Sequence, residues 1–233
     1  MRILGIDSSA KSASVALTDG EKVVGSFYTN TGLTHSQTLM PMIESLLKYS
    51  GISLDTVDLI AVNKGPGSFT GIRIGVAAAK GIADVKKMPV YGASTLGSMA
   101  YNLIDTNCIA CCVMDARCSQ VYNAFFDITD GKVTRLTEDN ADSIENVINS
   151  LNKYEKNKIF VGDGAEICYN TLKDKSSVSI ASPTHRFQSA VGVCFEAMHT
   201  SSDKYIDSAM LVPEYLRLPQ AQRELNKKLS KGV

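Results

Sequence analysis

Net charge is the first thing this chain of 233 residues lacks, since 24 Lys and Arg are balanced by 24 Asp and Glu. Holding nucleic acid by phosphate neutralisation needs a concentrated basic face, so the balance argues against that mode for the body of the chain. The charge is unevenly spread, with fifteen acidic against ten basic residues from 106 to 215 and five basic against one acidic from 216 onward. Only that last stretch has the composition to touch RNA. No apolar run approaches the length of a membrane span, and Met1-Arg2 passes directly into the short run Ile3 to Asp7, unlike a secretory leader. A cytoplasmic protein with no membrane association is expected.

Catalytic signatures are also scarce. The histidines are His35, His185 and His199, and none has a partner four residues away, the spacing that sets two imidazoles on one helix face to hold a metal. Leu39 stands where a partner of His35 would be, so no metal is expected and His35 reads as a capping or surface residue. No serine lies in a Gly-x-Ser-x-Gly elbow or a supported Ser-x-x-Lys motif. The cysteines are Cys108, Cys111, Cys112, Cys118, Cys168 and Cys194. Cys108 and Cys111 have a zinc-like gap, but no second pair follows, and Ile109 to Met114 reads as a buried strand that turns alternate side chains apart. Buried free thiols are the expectation, with no cation cluster to lower a thiol pKa.

What the chain does have is the glycine-rich stretch from Asp58 to Asp84. It reads as a buried strand at Leu59 to Val62, a turn at Gly65-Pro66-Gly67 and a helix that Ser68 or Thr70 can cap. Such a turn aims backbone N–H groups and a positive helix end at one point, which suits phosphate. The spacing is wrong for it. No Lys-Ser or Lys-Thr follows the glycines, and Gly65, Gly67 and Gly71 are too widely spaced for the dinucleotide fingerprint. In the helix, Gly71, Gly75 and Ala78 or Ala79 recur every three or four residues and leave one face almost bare. An interior helix glycine costs on the order of 1 kcal/mol relative to alanine, so a close contact must compensate, with the chain's own sheet or with another subunit.

In chain order, Arg2 to Asp7, Ala13 to Leu17 and Lys22 to Tyr28 read as three antiparallel strands, the last two joined by an Asp19-Gly20 turn. An amphipathic segment from Ser36 to Tyr49 follows, with Leu39, Met42, Ile43, Leu46 and Leu47 on one face, Gly51 as its stop, and Pro41 predicting a kink or a later start. Then come the buried strand, the glycine helix, a strand at Val90 to Tyr91 and a helix near Ser94. This is the order of the ribonuclease-H-like half-domain, the building block of the actin, sugar-kinase and Hsp70 superfamily. A reduced echo begins at Ile109: a strand to Asp115, strands at Val121 to Asp127 and Val133 to Leu136, a helix at Ile144 to Leu151, and a strand at Ile159 to Val161 running into Gly162-Asp163-Gly164. Ser176 to Ser182 reads as a strand, Val191 to Met198 as a helix and Leu211 to Arg217 as an extended edge segment. The expected class is α/β, an actin-like (ASKHA) fold of two ribonuclease-H-like subdomains, the first spanning 1–105, the reduced second 106–217, with a basic flexible tail over 218–233.

Ile3 to Ser9, Gly65 to Gly81, His35-Ser36, Met114 to Arg117 and Pro213 to Arg217 together resemble the TsaB (YeaZ) family of tRNA threonylcarbamoyladenosine biosynthesis proteins, over nearly the whole length. The run Gly-Pro-Gly-Ser-Phe-Thr-Gly-Ile-Arg-Ile-Gly is its most specific piece. The resemblance implies an accessory subunit without chemistry of its own. Its partners would be the catalytic paralogue TsaD, the ATPase TsaE, tRNA indirectly and, in isolation, a second copy. It places the pairing surface on the two helices, at Leu39, Met42, Ile43, Leu46, Gly71, Ile72, Arg73, Gly75, Val76 and Ala79. Asp7, Ser8, Ser9, Asp115, Gly162 and Gly164 fall where the superfamily binds nucleotide, but serines replace the glycine turn after Asp7 and Asp163 interrupts the later glycine pair. No cofactor is expected to bind tightly, with ATP and Mg confined to the assembled complex. The competing readings are an actin-like ATP-dependent small-molecule kinase using Asp7 and Asp115, and a metallopeptidase-like enzyme, which needs the missing histidine pair.

Overall fold

The computed structural model describes residues 1–172 and 175–217. Its elements in chain order are β1 (Arg2–Asp7), β2 (Ala13–Asp19), β3 (Lys22–Thr29), α1 (His35–Ser50), β4 (Leu59–Gly65), α2 (Phe69–Lys86), β5 (Val90–Ser94) and α3 (Thr95–Ala100). They continue as β6 (Cys108–Asp115), β7 (Gln120–Thr129), β8 (Lys132–Arg135), β9 (Asn140–Ser143), α4 (Ile144–Leu151), β10 (Lys158–Val161), α5 (Ala165–Thr171), β11 (Val178–Ile180) and α6 (Ala190–Met198).

The first sheet has the order β3-β2-β1-β4-β5, antiparallel across the hairpins and parallel from β1 through β4 to β5. Gly20 at φ 58 supplies the left-handed residue that the β2–β3 turn demands. The second sheet repeats the order as β8-β7-β6-β10-β11, with β9 paired to the far end of β7. β6 therefore plays the part of β1, and Asp115 ends it as Asp7 ends β1. The copy is reduced because its helices α4 and α5 span 8 and 7 residues where α1 and α2 span 16 and 18. The actin-like architecture of two ribonuclease-H-like halves is thus present. β9 and α5 carry too few residues for a readable period and escape sequence patterning.

α1 and α2 cover one face of the first sheet, where Leu4, Ile6, Val15 and Leu17 meet Leu39, Ile43, Leu46, Ile72 and Val76. α6 covers the other, so the segment from 190, which chain order assigns to the second half, returns to the first. α1 begins at His35, so Pro41 does not delay it, and the proline is exposed where its missing N–H leaves a carbonyl open to water. Leu211 to Arg217 is no edge strand; it crosses the glycine loop without joining either sheet. Residues 218–233 lie outside the described residues. Among the described residues, no helix is long and apolar enough to cross a membrane.

In β6 the cysteines alternate as a strand requires, Cys108 and Cys112 packing with α3 and Cys111 with α4 and α5. Burial pushes Cys111 and Cys112 well above the usual thiol value, and Cys168 and Cys194 up to about 12. Cys118 alone among the six is exposed. A disulfide-exchange titration of the native protein is accordingly expected to detect one rapidly reacting thiol, lost in Cys118→Ser, and all the rest after denaturation.

Candidate functional site

The ends of β1 and β6 face one another across a cleft of about 450 Å³, lined by Ser9, Lys11, Ser68, Asp115, Asp163 and Tyr215 among others. Asp7 is not part of the lining. Its carboxylate has no accessible surface, and its Oδ1 accepts from Ser9 N (3.1 Å), Ser9 Oγ (2.6 Å) and Asn63 Nδ2 (2.9 Å). Burial pushes its pKa above the usual carboxylate value, while the donors from Ser9 and Asn63 offset part of the rise. Asp7 therefore holds the β1–β2 turn rather than reaching into the cleft.

The glycines explain how that turn is closed. Ser8 O lies where a Cβ of Gly71 would point, Ser8 Oγ where one of Gly75 would point, Ser9 O against Gly67 and Glu214 O against Gly65. Hydrogen bonds run along the same seam, from Ser68 N to Ser9 O (2.7 Å) and from Ser8 Oγ to Gly71 O (2.8 Å). The space a phosphate cradle needs is filled by the chain's own backbone. Ser68, and not Thr70, caps α2 by accepting from Gly71 N at 3.2 Å. His35 is neither a cap nor a free surface residue: its Nε2 lies 2.8 Å from Ala10 O and its ring packs over Gly71, so it ties the start of α1 to this seam.

At the second strand end, Asp115 is exposed to the cleft and accepts from Arg117 N at 2.7 Å. Gly162, at φ 112, lies against Val113 O, and Gly164 lies against the backbone of Met114 and Asp115. Both are buried behind the cleft. Asp163 between them does line it, accepts from Gln188 Nε2 at 3.1 Å, and is raised in pKa by burial. Of the superfamily nucleotide positions, Ser9 and Asp115 reach the cleft, while Asp7, Ser8, Gly162 and Gly164 support it from behind. Among the described residues, no group of three or more His, Cys, Asp or Glu could hold a metal ion.

The profile of the family described as TsaD, tRNA N6-adenosine threonylcarbamoyltransferase, matches residues 29–230. The chain belongs to this family, in its TsaB (YeaZ) group. The Bacillus subtilis protein named tRNA threonylcarbamoyladenosine biosynthesis protein TsaB is 28% identical over 226 residues, covering 95% of this chain and 96% of that protein. The Escherichia coli protein of the same name is 39% identical over 125 residues, about half of each, at 52% and 53%. The solved structure of YeaZ from Pseudomonas aeruginosa is similar at TM-score 0.81 and 25% identity, over 92% of this chain and 99% of that one. An activator of 2-hydroxyisocaproyl-CoA dehydratase from Clostridium difficile, solved with bound ADPNP, shares the fold alone, at TM-score 0.52 and 10% identity over 85% and 94% of the chains.

The helix residues that the TsaB resemblance put at a pairing surface mostly face inward. Leu39, Ile43, Leu46, Ile72, Val76 and Ala79 belong to the first-half core, Gly71 and Gly75 are buried against Ser8, Met42 is half-buried, and Arg73 is exposed. An apolar stripe of period 3.6 marks the face that packs on the chain's own sheet, so it cannot also face a partner. Gly81 differs from its neighbours. It is exposed, and nothing lies within 4 Å of the place its Cβ would take.

Sequence patterning missed Glu196, an isolated carboxylate on α6 with no motif to mark it. It lines a second cleft of about 780 Å³ with Tyr91, Ser94, Arg135 and Asp139. Its Oε1 accepts from Tyr91 OH (3.2 Å) and Ser94 N (3.3 Å), and its Oε2 is shut from solvent without a donor. Ser94 Oγ donates to Asp139 at 2.5 Å, and Asp139 pairs with Arg135 at 2.6 Å, so this cluster joins the halves. Burial raises Glu196 to about 7, against the donor from Ser94 and the charge of Arg135, and burial together with the nearby Glu196 carboxylate raises Tyr101 to about 12.

Two measurements follow from these geometries. Gly71→Ala is expected to cost about 2 kcal/mol or more in denaturant unfolding, because its Cβ meets main chain that cannot give way, whereas Gly81→Ala adds about 0.5–1 kcal/mol by restoring helix propensity. Glu196 binds its proton more tightly folded than unfolded, so its stabilising contribution is complete below about pH 4.5 and is lost as pH rises through about 7. Glu196→Gln should flatten that decline, which is on the order of 3 kcal/mol, and an unchanged stability-against-pH curve would remove Glu196 as its source.

Proposed function

We propose that the chain is a non-catalytic partner subunit of the bacterial machinery that makes threonylcarbamoyladenosine at position 37 of tRNA. It acts in the cytoplasm beside the catalytic paralogue TsaD, with the ATPase TsaE as a third subunit, touches tRNA indirectly, and pairs with itself when alone. The near full-length likeness to the protein named TsaB supports the pathway. The observation that carries the accessory role is the Asp7 carboxylate, fully buried, bonded by Ser9 and Asn63 and absent from the lining of the cleft. A kinase needs that carboxylate beside metal and phosphates. No cofactor binds tightly in this reading, and ATP with Mg enters only in the assembled complex.

The pairing surface is the outer side of α1 and α2. Arg73 and Ala77 are exposed on α2, Met40 is 49% exposed on α1, and Met210 and Val212 stand out on the segment that Lys80 holds, at 70% and 64%. Exposed apolar side chains beside a helix stripped of bulk at Ala77 and Gly81 suit a close-packed helical partner. Val76, at 4% exposure, lies beneath this surface, so a charge there tests folding instead of pairing.

Reconstituted tRNA modification by the purified paralogue is expected to depend on this chain, and Ala77→Glu should abolish both the stimulation and the association seen by sedimentation while leaving Tm unchanged. Equal modification without the chain would sink the partner reading. A magnesium-dependent thermal shift with ATP in the isolated protein, lost in Asp7→Asn, would favour the kinase instead.

A further inference from the structure

The segment after the 3-10 turn Ser208–Met210 has no regular structure to Arg217, yet it is fastened along its length. Lys80, on α2, donates through Nζ to Ala209 O (3.1 Å) and Leu211 O (3.0 Å), and the Leu211 side chain is buried over Gly92. Glu214 N donates to Lys64 O at 2.7 Å, and the Glu214 carboxylate pairs with Lys64 at 2.9 Å. Tyr215 stacks on Phe69 with centroids 4.6 Å apart, and the Arg73 guanidinium sits over the Phe69 ring at 5.2 Å. Arg217 Nη1 then reaches the other half and donates to Ala116 O at 2.6 Å.

Ala116 opens the turn between β6 and β7, in which Arg117, Cys118 and Ser119 take φ of 63, 56 and 56. Three successive non-glycine residues in the left-handed region persist only when their surroundings hold them there. The bond from Arg217 is such a hold, and it comes from a segment whose other end is gripped by α2. The same segment supplies Glu214, Tyr215 and Arg217 to the lining of the cleft between the halves.

We propose that residues 209–217 are a strap that couples the outer side of α2 to the turn between β6 and β7, and so sets how the cleft between the two halves is held. The route is one of contiguous contacts from Lys80 and Arg73 to Ala116. It is intramolecular and does not need the pairing reading. Where that reading holds, a partner seated on Arg73 and Lys80 acts on the cleft through the strap.

The test is amide hydrogen exchange on the isolated protein. The readouts are the amides of Ala116, Arg117 and Gln120, each hydrogen-bonded within the turn. Lys80→Met, Tyr215→Ala and Arg217→Ala are each expected to speed their exchange by at least about threefold, with β10 and α4 unchanged as the control for folding. Lys80→Met decides, because it leaves the strap's own side chains intact. Acceleration in Arg217→Ala with wild-type exchange in Lys80→Met overturns the coupling, as does unchanged exchange in all three. All variants are compared in an Ala77→Glu background shown by sedimentation to be monomeric, so failure here is separate from failure of the pairing reading.

Discussion

Ser8 and Ser9 follow the first strand with their carbonyl oxygens against the α-carbons of Gly71 and Gly67, and much of the molecule depends on that main-chain contact. Any side chain at either glycine would force β1 and α2 apart. With none there, the helix start lies directly on the β1–β2 turn, Ser68 can cap it, and Ser8 and Ser9 bond across the seam. Asp7, just before this turn, is buried and bonded by Ser9 and Asn63. A stretch that looks made to receive a phosphate instead receives the protein's own backbone.

The contact also bears on what each of the two facing strand ends presents to the cleft. The two halves and their facing strand ends are retained, and a cleft lies between them. In the first half the Asp7 carboxylate is buried and its turn is stitched to the glycine loop. In the second, Asp115 and Asp163 still face the cleft, backed by glycines that fit against β6. The strap lies over the glycine loop and finishes on the second half, and the cluster of Glu196, Ser94, Asp139 and Arg135 joins the halves at the other cleft.

Much of the architecture was legible because its signals are local. Strand order follows from run lengths and turns, the repeat from Asp7 and Asp115 each closing a strand, and the thiols from the alternation of β6. The site was less legible. The stripe of Leu39, Ile43 and Leu46 and the row of Gly71, Gly75 and Ala79 are real, but a stripe states that a face is buried without naming what buries it. Glu196 carried no signal, since its environment is assembled from α6, β5 and the loop after β8, which are far apart in the chain.

Sequence by itself determined the two-half α/β order, the family, and the requirement that Gly71 and Gly75 meet something closely, because periodicity, turn chemistry and the cost of helix glycine act through neighbouring residues. Tertiary structure alone decided what they meet. Ser8 is 63 residues from Gly71 and Arg217 is 101 from Ala116, separations over which no local pattern specifies a partner. Packing in three dimensions brought the glycine helix onto the chain's own first turn, buried the Asp7 carboxylate, and left Arg73, Ala77 and Gly81 outside.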